Sequence, residues 1–156
     1  MDNIAPHTDS NEKGFTLVEL IVIMAIIGVL VLVALPSFSH FKSKAKNAGC
    51  AADLRTLEKD ITAYIVDKGT LPSSLNDVGR GGFKDPWGRP YNYKRLSDPD
   101  AEPYKEFLGV EALNTDFDLF SAGQDGLSDK SLNQPTCIDD IIRAADGGFV
   151  GLGGDF

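Results

Sequence analysis

Histidine is nearly missing: the chain of 156 residues holds two, and once His7 near the N-terminus is set aside only His40 remains. Sites that run on imidazole, as general base or triad member, therefore have no residue supply in the C-terminal part. Missing too are a glycine-rich phosphate loop ending in Lys-Ser/Thr, a His-Glu-x-x-His and a Gly-x-Ser-x-Gly. Basic side chains are in deficit, 15 Lys and Arg against 23 Asp and Glu, a net charge of −8. Nucleic-acid and anionic-lipid binders need basic surface, so no nucleic-acid partner is expected. Without Lys13, Asp2, Asp9 and Glu12 of the first fourteen residues the balance is 14 against 20, or −6, and the conclusion stands.

Cysteine is scarce as well. Cys50 and Cys137 lie far apart, without the close spacing of a zinc site or a redox Cys-x-x-Cys. They admit one long-range disulfide in an oxidising compartment, or two unpaired small buried residues. Carboxylate pairs such as Asp116/Asp118 and Asp139/Asp140 are what a glycosidase uses, but so small a domain shows no evident cleft, and no enzyme is expected.

What the chain does have is one long apolar run. From Leu20 to Leu35 it reads LIVIMAIIGVLVLVAL, and back to Phe15 only Thr16 and Glu19 interrupt it. As a helix this stretch spans roughly 30 Å, one bilayer core. Ser37-Phe38-Ser39 could end an ordinary secretory signal. Glu19 argues otherwise: a carboxylate inside a membrane span costs about 2.5–3.5 kcal/mol and calls for a partner, which a disposable signal has no use for. If the chain is cut between Gly14 and Phe15, the new α-amino group stands four residues before Glu19, on the same helix face. In a bundle of such helices the carboxylate can also pair with a neighbour's ammonium and select the axial register.

Lys13-Gly14 followed by Phe15-Thr16-Leu17-Val18-Glu19-Leu20, the apolar stretch, Gly28 and Leu35-Pro36 resembles the type IV prepilin class, pilins and pseudopilins. The resemblance implies a leader of residues 1–14 removed by a prepilin peptidase, methylation of the Phe15 amine, and an inner-membrane span over 15–36. Residues 37–156 then form a periplasmic domain. One tendency points the opposite way: the leader has Lys13 against three acids, whereas Lys42, Lys44 and Lys46 follow the span, and the positive-inside rule would keep that side in the cytoplasm. The cleavage motif is ranked above it.

Beyond Pro36, which removes a backbone donor and invites a kink or local unwinding, Phe38, Phe41, Ala45, Ala48, Ala51, Leu54, Leu57, Ile61 and Tyr64 recur every three or four residues. This stripe continues the helix to a stop at Gly69, with Leu54 to Tyr64 packing on a sheet and residues 15 to about 50 facing other subunits. Residues 70–90 are turn-rich. Tyr91 to Arg95, Glu106 to Val110 and Phe117 to Ser121 read as strands of one antiparallel sheet. Residues 138–145 suggest a short helix, and Gly147 to Phe156 a loosely held tail. The expected class is α+β, a long N-terminal helix on a small antiparallel sheet.

Asp85-Pro86-Trp87-Gly88-Arg89-Pro90-Tyr91 with Tyr93, and Asp118-Leu119-Phe120-Ser121-Ala122-Gly123-Gln124-Asp125-Gly126, resemble two segments of the major pseudopilins of type II secretion. On the residues alone the first is a turn that docks Trp87 on the core. The resemblance implies a homopolymeric filament, minor pseudopilins or pilins, an inner-membrane platform and its ATPase as partners. It also implies a calcium ion after Asp125-Gly126, for which Asp125, Asp139 and Asp140 are the candidate ligands. The spacing departs from that family and no Asp-x-Asp-x-Asp-Gly loop is present, so a turn with solvated carboxylates stays equally open. A type IV pilin is the alternative function, and a non-polymerising anchored periplasmic domain a further one.

Overall fold

The computed structural model describes residues 14–97, 103, 106–107 and 111–156, at 36–37 and 106–107 for the backbone alone. Residues 1–13 of the expected leader and Leu108 to Val110 of the expected second strand lie outside these. One helix, α1, runs over Leu17–Lys68 and is not unwound at Pro36. It ends as expected at Gly69, whose φ of +73° only glycine adopts freely and whose N–H closes on the Ile65 carbonyl at 2.8 Å.

The chain divides into two compact units, one up to His40 and one of Phe41–Phe156. In the first, the helix is apolar all round and its large side chains are exposed, Leu17 at 72% and Leu32 at 74% among them. A helix of this composition is stable in water only when something covers it, lipid or other helices.

In the second unit, Cys50, Leu54, Leu57 and Ile61 recur at helical spacing and are fully buried. They pack with Leu75, Tyr91, Phe117, Leu119 and Ile141. The stripe read from the sequence divides here, for Phe41 stays 70% exposed and Ala45 and Ala48 are exposed too.

The sheet is antiparallel, β1 (Asn92–Arg95), β4 (Phe117–Ser121), β5 (Ile141–Ala144) and β6 (Phe149–Leu152), in the spatial order β1-β4-β5-β6. Asn92 pairs with Phe120, Phe120 with Ile142, and Ile142 with Gly151. Of the expected second strand, Glu106–Phe107 (β2) does not join it but forms a separate pair with Glu111–Ala112 (β3).

Two expectations are corrected. Residues 141–144 are a strand, not part of a helix over 138–145, and the end of the chain is strand β6 rather than a loose tail. The reason is that both sheet faces are covered. Ile141 faces the helix-side core, while Ile142 and Ala144 join Leu113 and Phe120 in a second cluster with Leu132 and Phe149 against it. A strand buried on both faces loses its period-two signature, and Ile-Ile-Arg-Ala then reads equally well as a helix turn.

Arg143 in β5 ties the sheet to the helix. Only 3% exposed, it donates from Nε to Glu58 at 2.8 Å and from both Nη atoms to the Asp116 carboxylate at 2.8 Å, and it lies 4.0 Å over the Phe117 ring. Burial works against its charge, but the hydrogen bonds it donates to Asp116 and Glu58 outweigh this and hold its pKa above the ordinary arginine value.

Candidate functional site

At the N-terminus, Gly14, Phe15 and Thr16 are exposed and precede the first helical residue, Leu17. The Gly14–Phe15 bond, where the sequence leads one to expect cleavage, is therefore in non-helical, exposed backbone. Glu19 turns back on Thr16: its Oε2 accepts from the Thr16 N–H at 2.9 Å and hydroxyl at 2.8 Å, while the Thr16 Oγ accepts from the Glu19 N–H at 3.2 Å. This reciprocal arrangement is a capping box. Its Thr-x-x-Glu signature was in the sequence and was not part of the reading above. It holds the Glu19 carboxylate at the start of the helix, on the residue that follows Phe15.

The two downstream motifs meet. Asp85 is 5% exposed and organises its own turn, its Oδ1 accepting from the Trp87 and Arg89 N–H groups, each at 2.9 Å, while Gly88 takes the left-handed corner at φ +90°. Trp87 packs on the helix-side core, with the Lys46 ammonium 5.6 Å from its ring centre. The other Asp85 oxygen accepts from Ser121 Oγ at 2.6 Å, so the first motif is fastened to the end of β4. Arg89 then reaches over the second motif, donating to the carbonyl oxygens of Gly123 and Gln124. From the helix, Ser43 Oγ donates to the Gln124 side chain at 3.0 Å.

The three carboxylates expected around calcium are occupied differently. Asp139 Oδ2 accepts from the Gln124 and Asp125 N–H groups at 2.6 and 2.9 Å, and Asp125 Oδ1 from the Leu127 N–H at 2.7 Å. Asp140 is fully buried and accepts from Ser128 Oγ at 2.7 Å. Among the described residues no three His, Cys, Asp or Glu side chains converge as a metal set. Calcium asks for six to eight oxygens aimed at one point; here Asp125 and Asp139 accept from loop N–H groups, whereas the Asp140 Oδ1 is buried and makes no hydrogen bond.

Cys50 and Cys137 are both buried, and no disulfide joins them in this structure. They serve separate neighbourhoods. Cys50 belongs to the helix-side core, 3.7 Å from the Tyr91 hydroxyl, which donates to Asp53 at 2.8 Å; burial pushes the Cys50 thiol up to about 11. Cys137 Sγ accepts from the Asp129 N–H. Among the polar residues that carry the fold, Arg143, Glu58 and Asn114 carry no local sequence signal, because their partners are far away in the chain.

Comparison with known proteins follows the same division. Residues 9–35 match the prokaryotic N-terminal methylation motif, and residues 38–136, more than half of the chain, match the family described as type II secretion system protein G. That second match stops short of Asp139, Asp140, β5 and β6. The type II secretion system core protein G of Dickeya chrysanthemi is 30% identical over 130 residues, 78% of this chain and 83% of its own length. Competence protein ComGC of Halalkalibacterium halodurans is 38% identical over 73 residues, 47% of this chain and 72% of that protein. The type IV major pilin protein PilA of Myxococcus xanthus is 30% identical over 82 residues, 53% of this chain and 36% of that protein. No solved structure matches.

Proposed function

The chain belongs to the type II secretion system protein G family, and from that membership we propose that it is the structural subunit of a secretion pseudopilus, a fibre that drives folded proteins across the outer membrane. The observation that carries this is one carboxylate, Glu19, in the helical stretch from Leu17 to Leu35, whose large apolar side chains are exposed. Such a helix is suited to two solvents in turn, the inner membrane while the subunit waits and a bundle of its own kind after assembly. Transfer between them exchanges lipid for equally apolar neighbours, so it is near neutral apart from the charge.

Glu19 supplies the bias. A prepilin peptidase cuts after Gly14 and the Phe15 amine is methylated, which keeps its positive charge. The capping box holds the Glu19 carboxylate on Thr16, the residue after that amine, and in the bundle it meets the amine of a neighbouring subunit. The span of residues 15–36 then lies in the fibre core and the acidic domain of residues 37–156 at its surface, on the periplasmic side. A platform in the inner membrane, its ATPase and minor pseudopilins complete the machine.

Glu19→Ala is the test. The variant is processed and stays in the membrane, but fibres sheared from the cells and analysed by electron microscopy contain none of it; normal fibres from Glu19→Ala would refute the assembly. The pilin relative supports a second reading, a type IV pilus for adhesion, motility or DNA uptake. Cells lacking the gene separate the two, since loss of secreted proteins supports the pseudopilus and loss of long surface fibres with secretion intact supports the pilus.

A further inference from the structure

We infer that Arg89 is the built-in cation of the loop over residues 121–127, so that this chain folds and assembles without calcium. The guanidinium spans two backbone carbonyls of the loop, those of Gly123 and Gln124. On the opposite side Asp139 gathers the N–H groups of Gln124 and Asp125 on one oxygen. Carbonyls and amides of the loop are thus met by opposite charges from two other parts of the chain, and charge-assisted bonds of this kind are about twice as strong as neutral ones.

The glycines of the motif fit this assignment. A Cβ on Gly126 would lie 2.5 Å from the guanidinium carbon, and one on Gly123 would overlap the Asp139 carbonyl oxygen. Both also have positive φ, +59° at Gly123 and +75° at Gly126. Gly123 is therefore small because the Asp139 backbone passes directly over it, and Gly126 because of its left-handed φ, with the Arg89 guanidinium filling the space a side chain would take. Arg89 is itself fixed at its base, since its N–H bonds to Asp85 Oδ1 and its carbonyl accepts from the Asp85 N–H at 2.8 Å. A divalent ion entering here would meet a resident positive charge, with Asp125 Oδ1 and Asp139 Oδ2 already accepting from loop N–H groups and the buried Asp140 Oδ1 making no hydrogen bond.

The test uses the processed full chain in detergent. Melting followed by circular dichroism is expected to give the same midpoint in EDTA and in millimolar calcium, and calorimetry no heat on calcium addition. Arg89→Gln is expected to lower the midpoint by about 5–10 °C and to speed hydrogen exchange at the amides of Gln124 to Leu127 while β5 amides stay protected. Arg89→Lys, which keeps the charge but not the fork, falls between. A stoichiometric calcium heat, a calcium-raised midpoint in the unmodified chain, or unchanged loop exchange in Arg89→Gln would each overturn the inference. Should Arg89→Gln not fold, the calcium and EDTA measurements on the unmodified chain decide it alone. These outcomes concern the folded subunit and stand whichever kind of fibre it builds.

Discussion

Arg143 shows how much of the stability of so small a domain can hang on one polar residue. Its five donors reach Glu58 on the helix, Asp116, the Asn114 side chain and the Phe117 carbonyl. Removing the guanidinium leaves the Glu58 and Asp116 carboxylates, both only partly buried, without their shared cation. Arg143→Ala should therefore cost about 3 kcal/mol in urea unfolding of the processed chain, whereas Arg143→Lys recovers only part of it; a loss of a few tenths would mean that the network is ornamental. The thiol of Cys50 makes a second residue-level expectation. Its folded pKa, about 11, lies above the ordinary 9.0 because the neutral form is favoured by burial. A group raised in this way gives its full stabilisation below pH 9 and loses it as the pH climbs through 11. Tyr93 is pushed up to about 12 by burial and extends the same trend. The melting midpoint should fall between pH 9 and 11, and Cys50→Ala should flatten that fall.

Among the elements, α1 was legible in the sequence because its two halves each carry a signal that local chemistry writes plainly, an unbroken apolar run and then a three-four stripe ending at glycine. Strands β1 and β4 showed through their alternation and the turn residues around them. The far side of the sheet did not, since β5 is buried on both faces and β6 is a glycine-containing edge whose Phe149 packs on Phe156 rather than in an alternating row. The candidate site was half legible: both motifs could be picked out, but that Asp85 and Arg89 would fasten to Ser121, Gly123 and Gln124 is a long-range fact no local pattern holds. The corrected C-terminus gives an expectation of its own. Deleting residues 149–156 removes every partner of the outer edge of β5 and uncovers the Ile142 cluster. The shortened chain should lose cooperative melting or aggregate, by exposing an unpaired apolar edge. A loose tail would be removable with no change in the midpoint, so unaltered melting would restore that reading.

For the molecule as a whole, the distribution of charge poses the sharpest question. Lys42, Lys44 and Lys46 follow the apolar run within a few residues, and the counted preference for basic residues on the cytoplasmic side would hold this flank inside the cell. The proposed filament needs the domain on the other side. The conflict can be resolved physically, because the preference is a bias of a few charges acting on insertion, while Lys46 is engaged with Trp87 of the folded domain and the cleavage motif is read only if residues 1–14 face the cytoplasm. Orientation should then be insensitive to the flank. In spheroplasts, added protease should digest the domain around Trp87 in the unmodified chain and equally in a Lys42→Gln, Lys44→Gln, Lys46→Gln variant, with processing at Gly14 unchanged in both. Protection of that region in the unmodified chain, lost only when the lysines are removed, would place the domain in the cytoplasm and leave Glu19 with no fibre to build.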